Sequence, residues 1–268
     1  MAPPNTASRA ATVRERARAE LSREIKEEAR RQLAASGADG LSLRAVAKEL
    51  GMVSSALYRY YPSRDDLLTV LIIDAYDALG AAAEGAAAGG AAAGQAAPAR
   101  ARWVAACHAI RDWAVANPHE YALIYGSPVP GYRAPEATIG PAARVPLAFA
   151  GLLSEALARG ELGGPGGPGG PGWAAEVGAA SLPVTGALAE QADALSAALT
   201  QAVPGGGGAD AAPAAVPPDV LVRAVIAWTQ LFGMISFELF GQFVGSFEPA
   251  DALFGHAAQQ LAAFVGLR

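Results

Sequence analysis

The spacing of apolar residues over positions 14–36 predicts a long amphipathic helix. Four apolar residues recur there at every fourth position, between Arg and Glu: Leu21, Ile25, Ala29 and Leu33. This spacing places their side chains along one face of a helix, which Gly37 is expected to end. Residues 1–13 contain two prolines and small polar side chains, so we expect them to form a disordered tail.

Two shorter helices with a sharp turn between them are predicted next. Ser42 is a preferred N-cap residue and starts the first of them, and Gly51 ends it. In the second, Leu57 and Tyr61 stand four positions apart and share the buried face. Pro62 ends this second helix because proline cannot continue the hydrogen-bond pattern.

The remaining chain is predicted to be helices joined by low-complexity loops. Ser63 caps the first of these helices, and Asp65 and Asp66 complement the helix dipole in its first turn. Further helices are predicted over about 99–116, 118–125, 138–159, 181–203, 219–243 and 249–265. Segments rich in Gly, Ala and Pro are expected to be flexible loops: 85–98, 163–172 and 204–218.

These patterns predict an all-α protein of about nine to ten helices, since no run has the alternation of a strand. A compact three-helix head, residues 14–66, would precede a larger helical body, residues 67–268. Charge divides the chain in the same place. Residues 1–66 hold twelve Lys and Arg against nine Asp and Glu, whereas the remainder holds eight against sixteen. A basic head on an acidic body is typical of an anion-contacting module joined to a domain with another task.

The cysteine content and the long apolar stretches of the sequence indicate in which cellular compartment the protein is expected. The single cysteine, Cys107, permits no intrachain disulfide and indicates a reducing environment. One apolar stretch, residues 224–245, is long enough to span a membrane, but Gln230, Glu238 and Gln242 interrupt it. We therefore expect a helix buried against a protein partner. No membrane partner and no secretory signal are expected, and the location is expected to be cytoplasmic.

The two short helices and the glycine turn have the geometry of a helix-turn-helix, whose second helix enters the DNA major groove. Ala47 is small enough for the helices to approach closely. Val46, Leu50 and Leu57 fill the inside of the corner. Four residues then remain on the outer side, where a groove would meet them: Ser54, Ser55, Tyr58 and Arg59.

The segment LSLRAVAKELGMVSSALYRYYPSRDDLL, residues 41–68, closely resembles the DNA-binding head of TetR-family transcriptional regulators. The shared pattern is Ser/Thr-x-Arg-x-(Ile/Val)-Ala, a Gly turn, and then Leu-Tyr-x-(His/Tyr)-(Phe/Tyr)-x-Ser-(Lys/Arg)-x-x-Leu. The close resemblance covers residues 21–70. A second stretch, residues 228–241, is similar to the dimer-region helix of a subgroup with a Trp-x-x-x-His-Gly motif. Phe232 replaces the histidine here, so no imidazole role carries over.

The resemblance implies roles for nine residues of the head. Phosphate contacts are implied for Ser42 and Arg64, and a base or phosphate contact for Arg44. The base-facing start of the recognition helix would be Ser54, Ser55 and Ala56, followed by Tyr58, Arg59 and Tyr60 on the backbone or base edges. The chain departs from the pattern at Val53, where a capping Ser or Thr is common, and at Ser54, where Lys or Arg is frequent.

Plainer interpretations of the same residues stay open. Tyr58 and Tyr60 could be surface aromatics without a partner, and Arg64 could pair with Asp65 or Asp66. The arginines of the N-terminal region, Arg9, Arg14, Arg16 and Arg18, either form a solvated segment or contact phosphate or the minor groove.

For the body, the resemblance implies a homodimer in which the last two long helices pack against their two-fold mates. Residues 219–245 are apolar nearly all round, which supports a covered helix independently. Two-fold symmetry predicts a near-palindromic operator in double-stranded DNA, to which the protein would bind at the nucleoid.

A ligand pocket in the body is also implied, for a small apolar or amphipathic compound. Nine residues are candidates to line it: Trp103, Cys107, Ile110, Trp113, Tyr121, Tyr125, Trp228, Phe232 and Met234. Such residues at helical spacing are equally typical of an ordinary core. His108 lacks the neighbours of a metal site, so neither metal nor cofactor is expected.

The expected function is therefore that of a homodimeric, sequence-specific repressor that a small ligand releases from its operator. A DNA-binding regulator without small-molecule control and a helical interaction protein are the alternatives. An enzyme is not expected, because the sequence contains no G-x-S-x-G, P-loop or H-E-x-x-H motif.

Overall fold

Helices make up the regular structure of this chain. The computed structural model describes residues 6–89, 97–163, 183–202 and 215–268. Within these ranges there are ten α-helices, and β-structure is limited to one isolated bridge between Leu162 and Leu267, so the all-α class is confirmed. The helices are α1 (Thr6–Ser36), α2 (Leu43–Glu49), α3 (Ser54–Leu57), α4 (Arg64–Ala88), α5 (Ala99–Ala116), α6 (Pro118–Tyr125), α7 (Ile139–Ala158), α8 (Ala187–Ala202), α9 (Pro218–Leu239) and α10 (Asp251–Val265).

Helix boundaries follow the local sequence signals closely in the middle of the chain and less well at its two ends. The bounds of α5 and α6 coincide with those predicted. The first helix begins at Thr6, eight residues before Arg14, because Ala and Arg in this segment favour a helix. The predicted disordered tail, 1–13, is thus helical from residue 6, and its first five residues lie outside the described ranges. α9 ends at Leu239 rather than at residue 243.

The three predicted loops fall mostly on residues outside the described ranges. This applies to residues 90–96 of the first loop, 164–172 of the second and 204–214 of the third. Where the structure does describe these segments, their edges are helical. α4 extends to Ala88, and α9 begins at Pro218.

The chain divides into two compact units, and the division differs from the expected boundary at residue 66. The first unit, called the N-terminal unit, holds the residues up to Tyr76 together with Asn117–Ile139. The second, called the C-terminal unit, holds Asp77–Ala116 and Gly140–Arg268. Two segments assigned to the body from the sequence, the first half of α4 and the region around α6, thus belong with the head.

The core of the N-terminal unit explains this difference. Ile25, Ala29 and Leu33 of α1 are buried, as their spacing predicted, and α4 adds three buried leucines to the same core: Leu67, Leu68 and Leu71. Half of α4 is therefore needed to cover the head. The segment after α6 also packs on this unit, since Tyr132 and Thr69 share a hydroxyl–hydroxyl hydrogen bond of 2.9 Å.

Charged side chains link three helices of the N-terminal unit. Asp74 on α4 pairs with Lys26 and Arg30 of α1, each at 2.8 Å. Arg30 also lies 3.3 Å from Glu120 on α6. These groups are about a quarter to a third exposed, so water screens the pairs only in part. The network adds charged contacts between α1, α4 and α6 to the apolar packing of the core.

The C-terminal unit is organised around α5. Trp103, Cys107 and Ile110 are buried on one face of this helix, and α9 and α10 pack against it. Burial raises the pKa of the Cys107 thiol to about 12, so this cysteine stays protonated and unreactive near neutral pH.

One buried arginine ties these three helices together. Arg111 of α5 donates two hydrogen bonds to Glu238 of α9, at 2.7 and 2.6 Å, and one to Asp251 of α10 at 3.1 Å. Its guanidinium also lies 5.2 Å from the ring centre of Phe254. The hydrogen bonds to Glu238 raise the pKa of Arg111, and Arg111 in turn lowers the pKa of Asp251. Arg111 and Asp251 therefore both stay charged throughout the neutral range.

Two segments, Glu136–Ala158 and Pro218–Leu239, are long and apolar enough to cross a membrane by length and composition alone. Each carries charged groups engaged in ion pairs inside the C-terminal unit. Arg144 pairs with Asp77 and Glu84, and Glu238 pairs with Arg111. Ion pairs of this kind are typical of helices packed within protein, which agrees with the interpretation of residues 224–245 as a helix covered by protein.

The Arg111 cluster gives a stability prediction. We expect Arg111→Met to lower the free energy of unfolding by about 3 kcal/mol, because it leaves the mostly buried Glu238 carboxylate without its cation. The double variant R111M/E238M should recover part of that loss, since it removes both charges. Urea titration followed by circular dichroism at one protein concentration measures the difference.

The matched control is Arg100→Met on the same helix, whose guanidinium bonds Gln259 at the surface. It should change stability by less than about 0.5 kcal/mol. Equal losses in R111M and R100M would contradict the role assigned to Arg111.

Candidate functional site

The corner between α2 and α3 is fixed by one glycine and a small buried interface. Gly51 has φ of 63°, a left-handed conformation in which a side chain would be strained, and it turns the chain sharply. The amide of Met52 then donates to the carbonyl of Ala47 at 2.8 Å. Val46, Ala47 and Leu57 are fully buried inside the corner, as their positions in the sequence predicted. The result is a rigid helix-turn-helix.

The opposite side of this corner is open to solvent. Arg44, Ser55, Tyr58 and Arg59 are exposed. The remaining predicted contacts on α3 and just after it, Ser54, Ala56 and Tyr60, are half-buried. Tyr61 is instead a core residue, and its hydroxyl hydrogen-bonds that of Ser22 on α1 at 2.9 Å. The surface formed by Arg44, Ser54, Ser55, Ala56, Tyr58, Arg59 and Tyr60 is called the outer face below.

Two of the three helices around the outer face begin with a side-chain cap. The Ser42 hydroxyl accepts a hydrogen bond from the amide of Ala45 at 3.4 Å. At the start of α4, the Ser63 hydroxyl accepts from the amide of Asp66 at 3.1 Å. Val53 precedes α3 and supplies no side-chain cap, as its apolar side chain implies. The recognition helix therefore depends on packing to stay formed.

Gln32 is a supporting residue that the sequence did not reveal. Its side-chain oxygen accepts from the amide of Ser42 at 3.3 Å, and its amide group donates to the buried Glu28. α1 thereby holds the residue that starts α2. The contact joins residues ten positions apart across a turn, so no local pattern signals it.

Arg64 has a structural role in addition to the contacts expected from the sequence. Its guanidinium donates to the carbonyl of Ala38 at 2.7 Å, in the 3₁₀ turn Ala38–Gly40. It also lies 3.9 Å from the carboxylate of Asp39 and 3.7 Å from that of Asp65. The side chain is about one third exposed. Arg64 thus holds the turn before α2 against the start of α4.

One arginine of α1, Arg18, reaches the edge of the outer face. Arg14, Arg16 and Arg18 are exposed, and the guanidinium of Arg18 lies 5.7 Å from the ring centre of Tyr60. This cation–π contact gives Tyr60 a partner within the protein. The side chain of Arg9 lies outside what the structure describes.

An apolar cavity of about 230 Å³ lies inside the C-terminal unit. Four helices line it: α5 through Trp103, α7 through Phe149 and its neighbours, α8 through Leu195 and Leu199, and α9 through Trp228 and its neighbours. Of the nine residues predicted to line a pocket, Trp103 and Trp228 do so. The other seven do not lie on its wall.

The other seven residues are packed elsewhere in the two units. Cys107, Ile110 and Phe232 are buried in the core of the C-terminal unit, and Trp113 and Met234 are partly buried. Tyr121 and Tyr125 belong to the N-terminal unit, where Tyr125 packs against Tyr76 with ring centres 6.1 Å apart. Helical spacing predicted that these side chains are buried, but it did not predict which helices bury them.

A second cavity, of about 250 Å³, lies within the N-terminal unit between the end of α1 and the segment around α6. Polar residues, among them Ser36, Asp39 and His119, contribute to its wall. Within the described parts of the chain, no group of three His, Cys, Asp or Glu residues could hold a metal ion.

Two family profiles match successive parts of the chain. Residues 25–71, which contain the helix-turn-helix, match "Bacterial regulatory proteins, tetR family". Residues 103–261, more than half of the chain, match "Tetracyclin repressor-like, C-terminal domain". The chain belongs to the TetR family. This family consists of transcriptional regulators and not of enzymes, so the expectation that the chain is not an enzyme is confirmed.

Relatives and solved structures agree with this membership. The HTH-type transcriptional regulators Mb1846 of Mycobacterium bovis and Rv1816 of Mycobacterium tuberculosis are each 46% identical to this chain over 147 residues. The match covers 54% of this chain and 61% of each relative, which is about three fifths of their length. A family of soluble regulators implies a cytoplasmic location.

The fold is shared along nearly the whole chain. A crystal structure of a candidate regulatory protein, SCO4313, is 33% identical, with a TM-score of 0.60 over 92% of this chain and 97% of the other. A Rhodococcus sp. RHA1 protein of unknown function has the same fold at 23% identity, with a TM-score of 0.59 over 92% and 95% of the two chains.

The position of Arg64 in this TetR-family head leads to a prediction. Arg64→Ala should lower the free energy of unfolding by about 1.5 kcal/mol, because it removes a charge-assisted hydrogen bond to a backbone carbonyl. Arg59→Ala, which removes an exposed arginine five residues away in the loop after α3, should cost less than about 0.5 kcal/mol. Thermal unfolding of both variants measures the contrast, and equal effects would refute the anchoring role.

Proposed function

We propose that this protein is a homodimeric, sequence-specific DNA-binding repressor whose operator affinity falls when a small ligand occupies the C-terminal unit. The observation that carries the DNA-binding part is the two-sided helix-turn-helix. Its inner side is filled by buried aliphatic residues, and its outer face presents two arginines, Arg44 and Arg59, beside small hydroxyls and Tyr58. That combination suits a major groove, where arginine reads guanine and hydroxyls meet phosphate or base edges.

The roles proposed for residues of the outer face follow from the exposure of each side chain and from the hydrogen-bonding groups it has left unused. Arg44 is exposed near the start of α2 and would contact a base or a phosphate. The Ser42 hydroxyl accepts a cap bond from Ala45, so its O–H remains able to donate to a phosphate oxygen. Ser54, Ser55 and Ala56 would face bases, with Tyr58, Arg59 and Tyr60 beside them.

Arg64 is the weaker of the proposed phosphate contacts. To reach DNA, its guanidinium would exchange the carbonyl of Ala38 for a phosphate oxygen. The carboxylates of Asp65 and Asp66 stand in the same first turn of α4 and repel an approaching anion. We therefore assign most of the backbone affinity of the helix-turn-helix to Ser42 and Arg59.

The exposed side of α9 supports a homodimer. Val225, Ile226 and Phe237 are 41 to 54% exposed on this helix, and Phe240, Val244 and Phe247 continue the apolar surface beyond it. A contiguous apolar surface of this kind is typical of a protein interface. A second copy of the chain, related by a two-fold axis, would cover it. The two heads would then read half-sites of a near-palindromic operator roughly 34–36 Å apart, or a multiple of that distance.

Ligand control rests on the apolar cavity between α5, α7, α8 and α9. A ligand that lowers operator affinity a hundredfold needs about 2.7 kcal/mol of coupling between the two sites. By linkage, bound DNA must weaken ligand binding by the same factor. A regulator without small-molecule control would share the DNA-binding half of this proposal and lack the coupling.

Operator recognition is tested with a duplex selected by the protein from random sequences. Arg44→Ala should weaken binding to that duplex by about 1–3 kcal/mol and reduce its preference over random DNA. The matched control is Arg159→Ala, which removes an exposed cation from the C-terminal unit and should leave the affinity unchanged. Fluorescence anisotropy measures both. Unaltered binding by R44A would remove Arg44 from the interface, and no selected duplex at all would favour a helical interaction protein.

Dimerisation is tested by placing charge on the α9 surface. The double variant I226D/F237D should sediment as a monomer and lose most of its operator affinity, because one head then binds one half-site. Val115→Asp changes an equally exposed apolar residue of α5 and should remain dimeric. Sedimentation velocity distinguishes the two states. A persistent I226D/F237D dimer would move the interface elsewhere.

A further inference from the structure

The first helix is longer than the head requires. The core of the N-terminal unit uses α1 from Leu21 to Leu33, whereas α1 begins at Thr6. At a rise of 1.5 Å per residue, about 22 Å of helix precedes the part that packs on the core. All side chains from Arg14 to Glu20 are exposed. A helix that extends beyond its own core in this way has a surface available to a partner.

The side of α1 that faces the head changes from apolar to cationic along this extension. Ile25 is buried on that side, and about one turn earlier in the chain the hydroxyl of Ser22 hydrogen-bonds that of Tyr61 at 2.9 Å. Arg18 and Arg14 follow at the next two intervals of four residues. Residues four apart share one side of a helix, so the two arginines continue the stripe that covers the core.

This stripe runs from the core towards the outer face. Ser22 contacts Tyr61, which is a core residue, whereas the guanidinium of Arg18 lies 5.7 Å from the ring centre of Tyr60 on the outer face. Arg14 lies one further turn, about 6 Å, along the helix axis. It therefore projects beyond the edge of the outer face, where the backbone of a bound duplex would run.

Both arginines are available to an anion. Neither Arg14 nor Arg18 forms an ion pair within the described segments, whereas Arg23, on the far side of α1, is paired with two glutamates. Residues 14–19 hold three arginines against one glutamate, so this part of the helix keeps a positive charge. Such a stretch, continuous with a surface that meets DNA, is complementary to a polyanion.

The helical form of this segment decides which part of the duplex it can contact. An arginine-rich arm enters the minor groove in an extended form, since that groove is about 6 Å wide and a helix with its side chains is about 10–12 Å across. α1 is helical from Thr6, which excludes the minor groove. The major groove is assigned to α3. The partner left for Arg14 and Arg18 is the phosphate backbone, which carries one negative charge per roughly 1.7 Å of duplex.

We propose that the N-terminal half of α1 is a second DNA-binding element, in which Arg14 and Arg18 bind phosphates beside the groove that α3 enters. The proposal rests on the proposed DNA-binding function and adds a contact outside the helix-turn-helix. A phosphate contact carries no base sequence, so it contributes to affinity and not to the choice of operator. Arg16 is two positions from each of the other two arginines, about 200° around the helix, and points away from the duplex.

The salt dependence of DNA binding tests the proposal. Fluorescence anisotropy of the full-length protein is measured from about 50 to 200 mM salt, on the selected operator duplex and on a random duplex of equal length. In R14A/R18A, the slope of log affinity against log salt should fall by about 1.8 per bound protomer, since each phosphate contact contributes about 0.9. Affinity near physiological salt should fall about tenfold on both duplexes, so the preference for the operator stays unchanged.

Matched variants assign the effect to position and charge. Arg16→Ala removes the same charge from the other side of the same segment and should leave slope and affinity unchanged. R14K/R18K should keep the slope, because lysine binds phosphate as a point charge. Arg14→Ala alone should lower the slope by about 0.9. Arg14 forms no hydrogen bond or ion pair within the described segments, so that loss cannot come from a disturbed contact in the protein. Circular dichroism checks that each variant is folded.

The outcomes separate this proposal from the proposed function. An unchanged salt slope in R14A/R18A, or an equal loss in R16A, overturns the proposal. A lost preference for the operator over random DNA overturns the assignment to phosphates. If R44A weakens operator binding and R14A/R18A does not, the proposed function stands and the α1 contact fails. If no duplex is selected but R14A/R18A lowers the slope on random DNA, the α1 contact stands and operator recognition fails. A wild-type protein that binds neither duplex overturns both.

Discussion

The helix-turn-helix depends on burial, because its two helices are too short to exist alone. α2 has seven residues and α3 has four, well below the length at which an isolated helix persists in water. α3 also begins at Val53 without a side-chain cap. What keeps both helices formed is the packing of Val46, Ala47 and Leu57 against a core that α1 and the first half of α4 complete. The exposed outer face is thus only as rigid as this buried interface.

The same constraint accounts for the supporting contacts around the corner. Gln32 of α1 holds the amide of Ser42, where α2 begins, and Arg64 of α4 holds the carbonyl of Ala38 just before it. Both long helices thereby fix the start of a short one. A groove-reading surface needs its side chains at fixed positions, so contacts that stabilise the backbone beneath it contribute to recognition without touching DNA.

Local features of this fold were predictable from the sequence, and long-range ones were not. The burial of Ile25, Ala29 and Leu33, the cap at Ser63 and the corner at Gly51 each depend on a pattern within a few residues. The hydrogen bond from Arg64 to Ala38 spans 26 positions and was not predictable, whereas the pairing with the adjacent Asp65 was. For the aromatic residues, periodicity indicated burial but not which unit buries them, which is why Tyr121 and Tyr125 were assigned to a pocket they do not line.

The two units also differ in how their arginines are engaged, which the net charge of the whole chain does not show. Five of the eight arginines in residues 67–268 form ion pairs inside the C-terminal unit: Arg102, Arg111, Arg144, Arg159 and Arg223. In contrast, Arg44 and Arg59 are exposed on the outer face and make no ion pair within the described segments. Cations available to a polyanion are therefore concentrated on the head, although the whole chain carries a net charge of −5.

α9 connects the proposed ligand site to the proposed dimer surface within one rigid element. One side of the helix lines the cavity through Leu221, Ala224 and Trp228, and the other side exposes Ile226 and Phe237. Close-packed helices shift as units because their side chains interlock. A ligand that is slightly too large for the cavity would therefore move the surface that meets the second copy. In the proposed homodimer, a change in that surface would alter the relation between the two protomers, on which simultaneous contact with two operator half-sites would depend.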